Sequence, residues 1–319
     1  MQPSVTGLPD PGTDAREHSA RVSAALRDAV AAAGGFLPFD QWMDIALYAP
    51  GLGYYAAGAQ IFGEAGDFVT APEMTPLFAQ SLAPDVGAIL AASGAHEIVE
   101  WGAGSGRFAV DLLAALDRNG ARVARYAIVE TSPVLRERQR ERLAHDHRVT
   151  WLDAPPREVS GAIVMNEVLD AIAPAVVART NDTWQERGVI VRDGGFAWAA
   201  RPLADRALEA AASARFPPLI DYASEINLAA EALVAQSAAS LVDGAMLIVD
   251  YGFVRAEYYH PQRGEGTLMA HYRHRATTDV FVWPGLADIT AHVDFSAVAE
   301  AAERGGLHVA GFTSQAAYL

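Results

Sequence analysis

The 319-residue chain contains no cysteine, which excludes a disulfide framework, a thiolate nucleophile and every cysteine metal site. It contains no lysine either, so all 24 basic side chains are arginine, and Schiff-base chemistry and a P-loop lysine are excluded as well. Acidic residues number 39, for a formal net charge of −15. A broad nucleic-acid-binding surface is therefore not expected, because nonspecific affinity rests on neutralising phosphates with basic residues. No apolar run reaches the roughly 18 residues that a membrane span needs. The first 18 residues mix Pro, Gly and acids without an apolar core or an Arg-rich face, and read as a flexible tail rather than a signal or transit peptide. The missing cysteines fit a reducing cytoplasm. What the chain does have is 51% hydrophobic residues against 20% charged, enough to bury a large core.

Helical spacing of Val22, Leu26 and Val30 predicts a helix over 19–33, stopped by Gly34 and Gly35. A second helix is expected over 39–48 and a third from about Thr75 into the early nineties, with a long glycine-rich loop between them. Residues 19–94 thus read as an N-terminal helical segment. From residue 95 the rhythm is strand, glycine turn, helix: HEIVEWGAGSG, RFAVDLLAALDRNG, RYAIVE, SPVLRERQRERLA, RVTWLD, GAIVMNE. Short Ile/Val-rich runs alternating with helices predict βαβ units on a parallel sheet, a doubly wound α/β domain over 95–319. Insertions are expected at about 184–240 and 253–287. The first begins as a hairpin turning at Asp193–Gly195 and continues as an alanine-rich helical stretch over 204–240. GAMLIVDYG at 244–252 reads as a further buried strand, and LHVAGFTSQ as a last one after a helix.

Glu100-Trp-Gly102-Ala-Gly104-Ser-Gly106 follows a strand and opens a helix, the context in which a glycine turn brings backbone N–H groups against a ligand. Gly104-Ser-Gly106-Arg-Phe-Ala109 also satisfies the dinucleotide pattern. Glu100 argues against a diphosphate, which a carboxylate would repel, and for a cationic, nonphosphate ligand. Glu130, at the end of the next strand, is the usual device for holding ribose hydroxyls. Asp153, after the third strand, is placed either to accept from an adenine amino group or simply to form a turn.

The E-x-G-x-G-x-G form resembles motif I of class I S-adenosylmethionine-dependent methyltransferases. GDFVTAPE at 66–73, EIVEWGAGSGRFAVDLL at 97–113, IVETSPVLRERQ at 128–139, NEVLDAIAP at 166–174, IVDYG at 248–252, GTLMAHYRH at 266–274 and DITAHVDFSA at 288–297 together resemble the MidA-like methyltransferases. That family includes the mitochondrial complex I assembly factor that methylates an arginine of a complex I core subunit. The resemblance covers residues 36 to 315. It implies a Rossmann-like class I sheet, S-adenosylmethionine held by Glu100, Gly102, Gly104, Gly106 and Glu130, and methyl transfer to a protein arginine, with a respiratory complex I subunit as candidate partner. Two departures stand out. The proline of NEVLDAIAP falls one residue later than the family's NE-x-x-DALP, and family members continue past this C-terminus into a final antiparallel strand. Without that strand the sheet is expected to expose an edge that invites pairing with another chain, a second copy included.

Methyl transfer to a guanidinium calls for carboxylates that bind its N–H groups in a fork. Glu167 and Asp170 follow the fourth strand at the crevice and share a face if the segment is helical; otherwise they cap a following helix. Asn166 is expected to position backbone or cofactor. Asp67, Thr70 and Glu73 are expected to close over the cofactor, although Thr70-Ala-Pro-Glu73 also reads as an ordinary helix start. His271, His274, Asp288, His292 and Asp294 match no compact metal motif, and no metal is expected. The rival readings are a small-molecule methyltransferase, a non-catalytic assembly factor that binds the cofactor, and a nicotinamide or flavin oxidoreductase.

Overall fold

A computed structural model describes residues 8–57 and 70–318. In chain order its first elements are α1 (Thr13–Ala32), β1 (Leu37–Pro38), α2 (Phe39–Tyr48), α3 (Ala71–Met74) and α4 (Leu77–Ser93). An alternation follows: β2 (Glu97–Trp101), α5 (Arg107–Arg118), β3 (Arg125–Val129), α6 (Pro133–Leu143), β4 (Val149–Leu152) and β5 (Val159–Asn166). Next come β6 (Ala175–Thr180), β7 (Thr183–Arg192), β8 (Gly195–Pro202), α7 (Arg206–Arg215) and β9 (Tyr222–Ile226). The remainder is α8 (Leu228–Ser240), β10 (Leu241–Val249), β11 (Gly252–Phe253), α9 (Arg255–Tyr258), β12 (Met269–Tyr272), β13 (Arg275–Thr277), β14 (Asp288–Thr290), β15 (Val293–Asp294), α10 (Phe295–Arg304) and α11 (Gln315–Tyr318). These elements divide into two units.

The parallel unit comprises 70–169, 231–251 and 297–318. Its sheet runs β10-β5-β2-β3-β4, every pairing parallel. Strands β2, β3 and β5 are buried along most of their length, as Ile/Val-rich segments covered on both faces must be. Leu112, Leu116, Ile98, Tyr126 and Ala162 form the centre of its core. Strand order reverses beside β2, with β3 on one side and β5 on the other, and the crevice at the carboxyl ends of these strands is where a doubly wound sheet binds ligands. Helix α4, which the sequence pattern assigned to the N-terminal segment, belongs to this core through Phe78, Leu82, Val86 and Leu90.

The antiparallel unit comprises 8–57, 170–230 and 252–296. Its main sheet runs β1-β7-β6-β9, with β8 paired to β7. The core joins Val22, Leu26 and Val30 of α1 to Phe39, Trp42, Met43 and Leu47 of α2, along with Val189 and Ile289. Helices α1 and α2, the second expected insertion and the first as far as residue 230 therefore belong to one structure.

Four sequence expectations change. Helix α1 begins at Thr13 rather than Ser19, its first turn carrying Asp14 and closed by the Arg16 N–H to the Gly12 carbonyl at 3.0 Å, which shortens the tail expected over 1–18. The alanine-rich stretch 204–240 is not continuously helical: β9, buried at every position and paired antiparallel to β6, interrupts it. Strand β10 is half-buried to exposed, and among the described residues it pairs with β5 alone. The expected strand at LHVAGFTSQ is not formed; residues 307–314 carry no regular structure and are mostly exposed.

Candidate cofactor and acceptor sites

The turn after β2 explains its glycines. Gly102, Gly104 and Gly106 have φ of +58°, +53° and +81°, a region that costs any residue with a Cβ. A Cβ at Gly102 would lie 3.2 Å from Val168 Cγ2, and one at Gly106 3.4 Å from Gln139 Cγ. Gly102 N–H donates to the Val129 carbonyl at 2.9 Å, tying the turn to the end of β3. Gly106 is the N-cap of α5, which sets the partial positive charge of a helix start directly after the turn.

Glu130 stands one residue past β3. Its carboxylate accepts from the Ser132 N–H at 2.8 Å and from Gln139 Nε2 at 2.9 Å. Burial pushes its pKa up; the bonds from Ser132, Gln139 and Thr131, and the nearby Arg136, pull it back. Gln139 was not singled out from sequence. It is fully buried, and its amide also donates to the Gly104 carbonyl at 2.9 Å and accepts from Trp151 Nε1 at 3.0 Å. The signal that could have found it is positional: Leu135, Gln139 and Leu143 are the buried residues of α6, and the middle one is polar.

Glu100 is buried in β2 and accepts from Tyr126 OH at 2.8 Å. Burial raises its pKa to about 8, with a lowering from Tyr126 and a further push from Glu130. Asp153 is exposed and pairs with Arg136 at 2.7 Å. Asn166 ends β5, next to the Met165 that lies across from Trp101 at the start of the turn, and its buried Oδ1 has no hydrogen-bond partner among the described residues. Asp67 lies outside the described residues. Thr70 is the N-cap of α3 without a side-chain cap bond. It is Glu73 that reaches the turn, accepting from the Ser105 hydroxyl, which in turn accepts from Arg142 at 2.5 Å.

The segment after β5 is a turn, not a helix, so the spacing of Glu167 and Asp170 neither sets them on a helical face nor caps one. Glu167 has φ +51°, uncommon for a residue with a side chain and a mark of functional segments. It is held there by its N–H bond to the Val249 carbonyl at 2.8 Å and by Leu169 N–H donating to Asp250 Oδ2 at 2.9 Å. Asp250, from IVDYG, is thus a second residue not picked out from sequence. Asp170 is buried in the antiparallel unit, where its carbonyl accepts from Ala291 N–H at 3.1 Å. Tyr55 OH donates to the buried Asp288 at 2.9 Å, and burial together with Asp288 and, more weakly, Asp170 raises its phenol far above the usual range. Structure therefore brings Asp170, Asp288 and Tyr55 together. His271 and His292 have pKa values lowered by burial. Among the described residues no group of three or more His, Cys, Asp or Glu is arranged to hold a metal.

This donor set fits a nucleoside cofactor bearing a cation. Three glycines leave the turn open to close approach, and Glu130 and Asn166 place acceptor oxygens at the carboxyl ends of β3 and β5. A parallel sheet carrying that turn and that carboxylate defines a class I methyltransferase fold. The chain belongs to a family of S-adenosyl-L-methionine-dependent methyltransferases, matching it over residues 81–313, and S-adenosylmethionine is its cofactor. It is 50% identical to a likely methyl transferase from Burkholderia thailandensis whose crystal structure holds S-adenosyl-homocysteine; the match covers 94% of this chain and 80% of that one, with a TM-score of 0.89. It is 27% identical to the mitochondrial protein arginine methyltransferase NDUFAF7 homolog of Drosophila melanogaster, over 89% of this chain and 71% of that protein. The Danio rerio protein arginine methyltransferase NDUFAF7 is 29% identical, over 83% of this chain and 68% of that protein.

Proposed function

We propose that this methyltransferase acts on an arginine side chain of a protein, with a subunit of respiratory complex I as the first candidate that the sequence resemblance implies. The observation that carries the reading is Glu167, a carboxylate fixed in left-handed backbone at the carboxyl end of β5 beside the Asn166 oxygen, which is unpartnered among the described residues. The names of the two NDUFAF7 relatives support it.

Bound S-adenosylmethionine supplies a methyl group on a sulfonium. A guanidinium is a poor nucleophile, because its lone pairs are delocalised and it carries a positive charge. Glu167 accepts its N–H bonds, orients one nitrogen and offsets the charge that opposes attack. Asn166 holds the cofactor's donor end, while the turn and Glu130 hold its nucleoside.

The test is incubation of the purified protein with methyl-labelled cofactor and arginine-containing polypeptides, including complex I subunits, followed by hydrolysis and amino-acid analysis. Label in methylarginine is expected. Label confined to metabolites would replace this reading with a small-molecule methyltransferase.

A further inference from the structure

Gln139 is a buried amide whose three hydrogen-bonding groups go to three different segments of the parallel unit. The direction of the amide is set by chemistry, since Trp151 Nε1 can only donate. The side-chain oxygen must therefore face Trp151 at 3.0 Å, which leaves both N–H groups for acceptors. Those acceptors are the Gly104 carbonyl in the glycine turn and Glu130 Oε2 after β3, each at 2.9 Å. Buried hydrogen-bonding groups that are all satisfied specify one arrangement and are costly to disrupt.

We propose that Gln139 is a positioning residue for S-adenosylmethionine, locking the glycine turn and the ribose-binding carboxylate into one geometry. The inference rests on the reading that Glu130 receives the ribose hydroxyls. The charged and titratable groups facing Glu130 are Arg136 on α6, itself paired with Asp153 after β4, and the buried Glu100 on β2; the N–H groups of Thr131 and Ser132 complete its surroundings. Burial raises the Glu130 pKa, and the Gln139 bond lowers it. Loss of that bond lets the pKa rise further. Protonation removes acceptor capacity, so cofactor affinity then fails at a higher pH than in the unaltered protein.

The experiment is calorimetric titration with S-adenosylhomocysteine across a pH series, on the unaltered chain, Glu130→Gln, Gln139→Met and the double variant. Methionine keeps the volume that Gly106 packs against and removes only the polar atoms. Expected are about tenfold weaker binding by Gln139→Met near neutral pH, loss of affinity beginning at a higher pH than in the unaltered protein, and a double variant no weaker than Glu130→Gln. Full affinity in Gln139→Met, or strictly additive losses in the double variant, would overturn the proposal while leaving Glu130 in its role. Full affinity in Glu130→Gln would instead overturn the reading beneath it. Should Gln139→Met fail to fold by circular dichroism, Gln139→Asn keeps a buried amide that is one methylene too short to bridge the Gly104 carbonyl and Glu130. Weakened binding with the same shift toward higher pH supports the proposal, and an unchanged profile overturns it.

Discussion

At residue scale the chemistry of this protein lies in how burial treats its carboxylates. Glu100 is held near pKa 8 by desolvation, so the folded state binds a proton that the unfolded chain releases in the ordinary carboxylate range. Stability from this group is therefore present at low pH and lost as pH rises toward about 8, by at most about 1.4 kcal/mol per pH unit. Glu100→Gln, which keeps the acceptor for Tyr126, is expected to remove that slope; equal pH dependence of chemical denaturation in both proteins would refute the assignment. Gly104→Val is expected to abolish S-adenosylhomocysteine binding, because φ of +53° penalises a branched side chain and the turn must let backbone approach the ligand. Retained affinity by calorimetry would remove the turn from the site. Glu167→Gln is expected to lower kcat about 100-fold with cofactor affinity within about threefold. Unchanged turnover would favour a non-catalytic role for Glu167. The glycines and Glu130 were legible in sequence because a turn between strand and helix and an acid at a strand's end carry their own chemistry. Gln139 and Asp250 were not, because their contacts run to partners distant in sequence, and the burial of Glu100 was not, because a strand's sequence does not reveal how completely a side chain is desolvated.

At the scale of elements, α6 is the support on which the cofactor geometry rests. Its N-cap Ser132 is buried and accepts from the Leu135 N–H at 3.3 Å, with Pro133 opening the helix. Ser132→Ala is expected to cost about 1 kcal/mol and to weaken S-adenosylhomocysteine binding modestly, because the start of α6 also presents the Ser132 N–H to Glu130. A thermal melt and a titration check both, and an unchanged melting temperature would mean that the cap carries no stability. Helix α2 was legible to the residue, whereas α1 was legible in its apolar stripe and not in its start. Strand β9 was not, since five strand residues inside an alanine-rich stretch give no periodic signal of their own, and only pairing with β6 decides their state. The turn at 167–170 was hidden for a related reason: its backbone is set by bonds to the end of β10, some eighty residues away.

At the scale of the whole molecule, the parallel sheet was legible because every one of its strands is a short apolar run punctuated by glycine or acid. The antiparallel unit was seen only in pieces, as helices, a hairpin and insertions, because its sheet is assembled from segments far apart in sequence. Ligand linkage gives a global prediction: S-adenosylhomocysteine at about 100 times its Kd should stabilise the protein by about 2.7 kcal/mol, seen as a raised unfolding temperature that depends on ligand concentration. The most direct test of the central claim is a calorimetric titration of the 319-residue chain with S-adenosylhomocysteine beside NADH. Saturable binding of S-adenosylhomocysteine with no response to NADH is the predicted result; tight binding of NADH in its place would contradict the account.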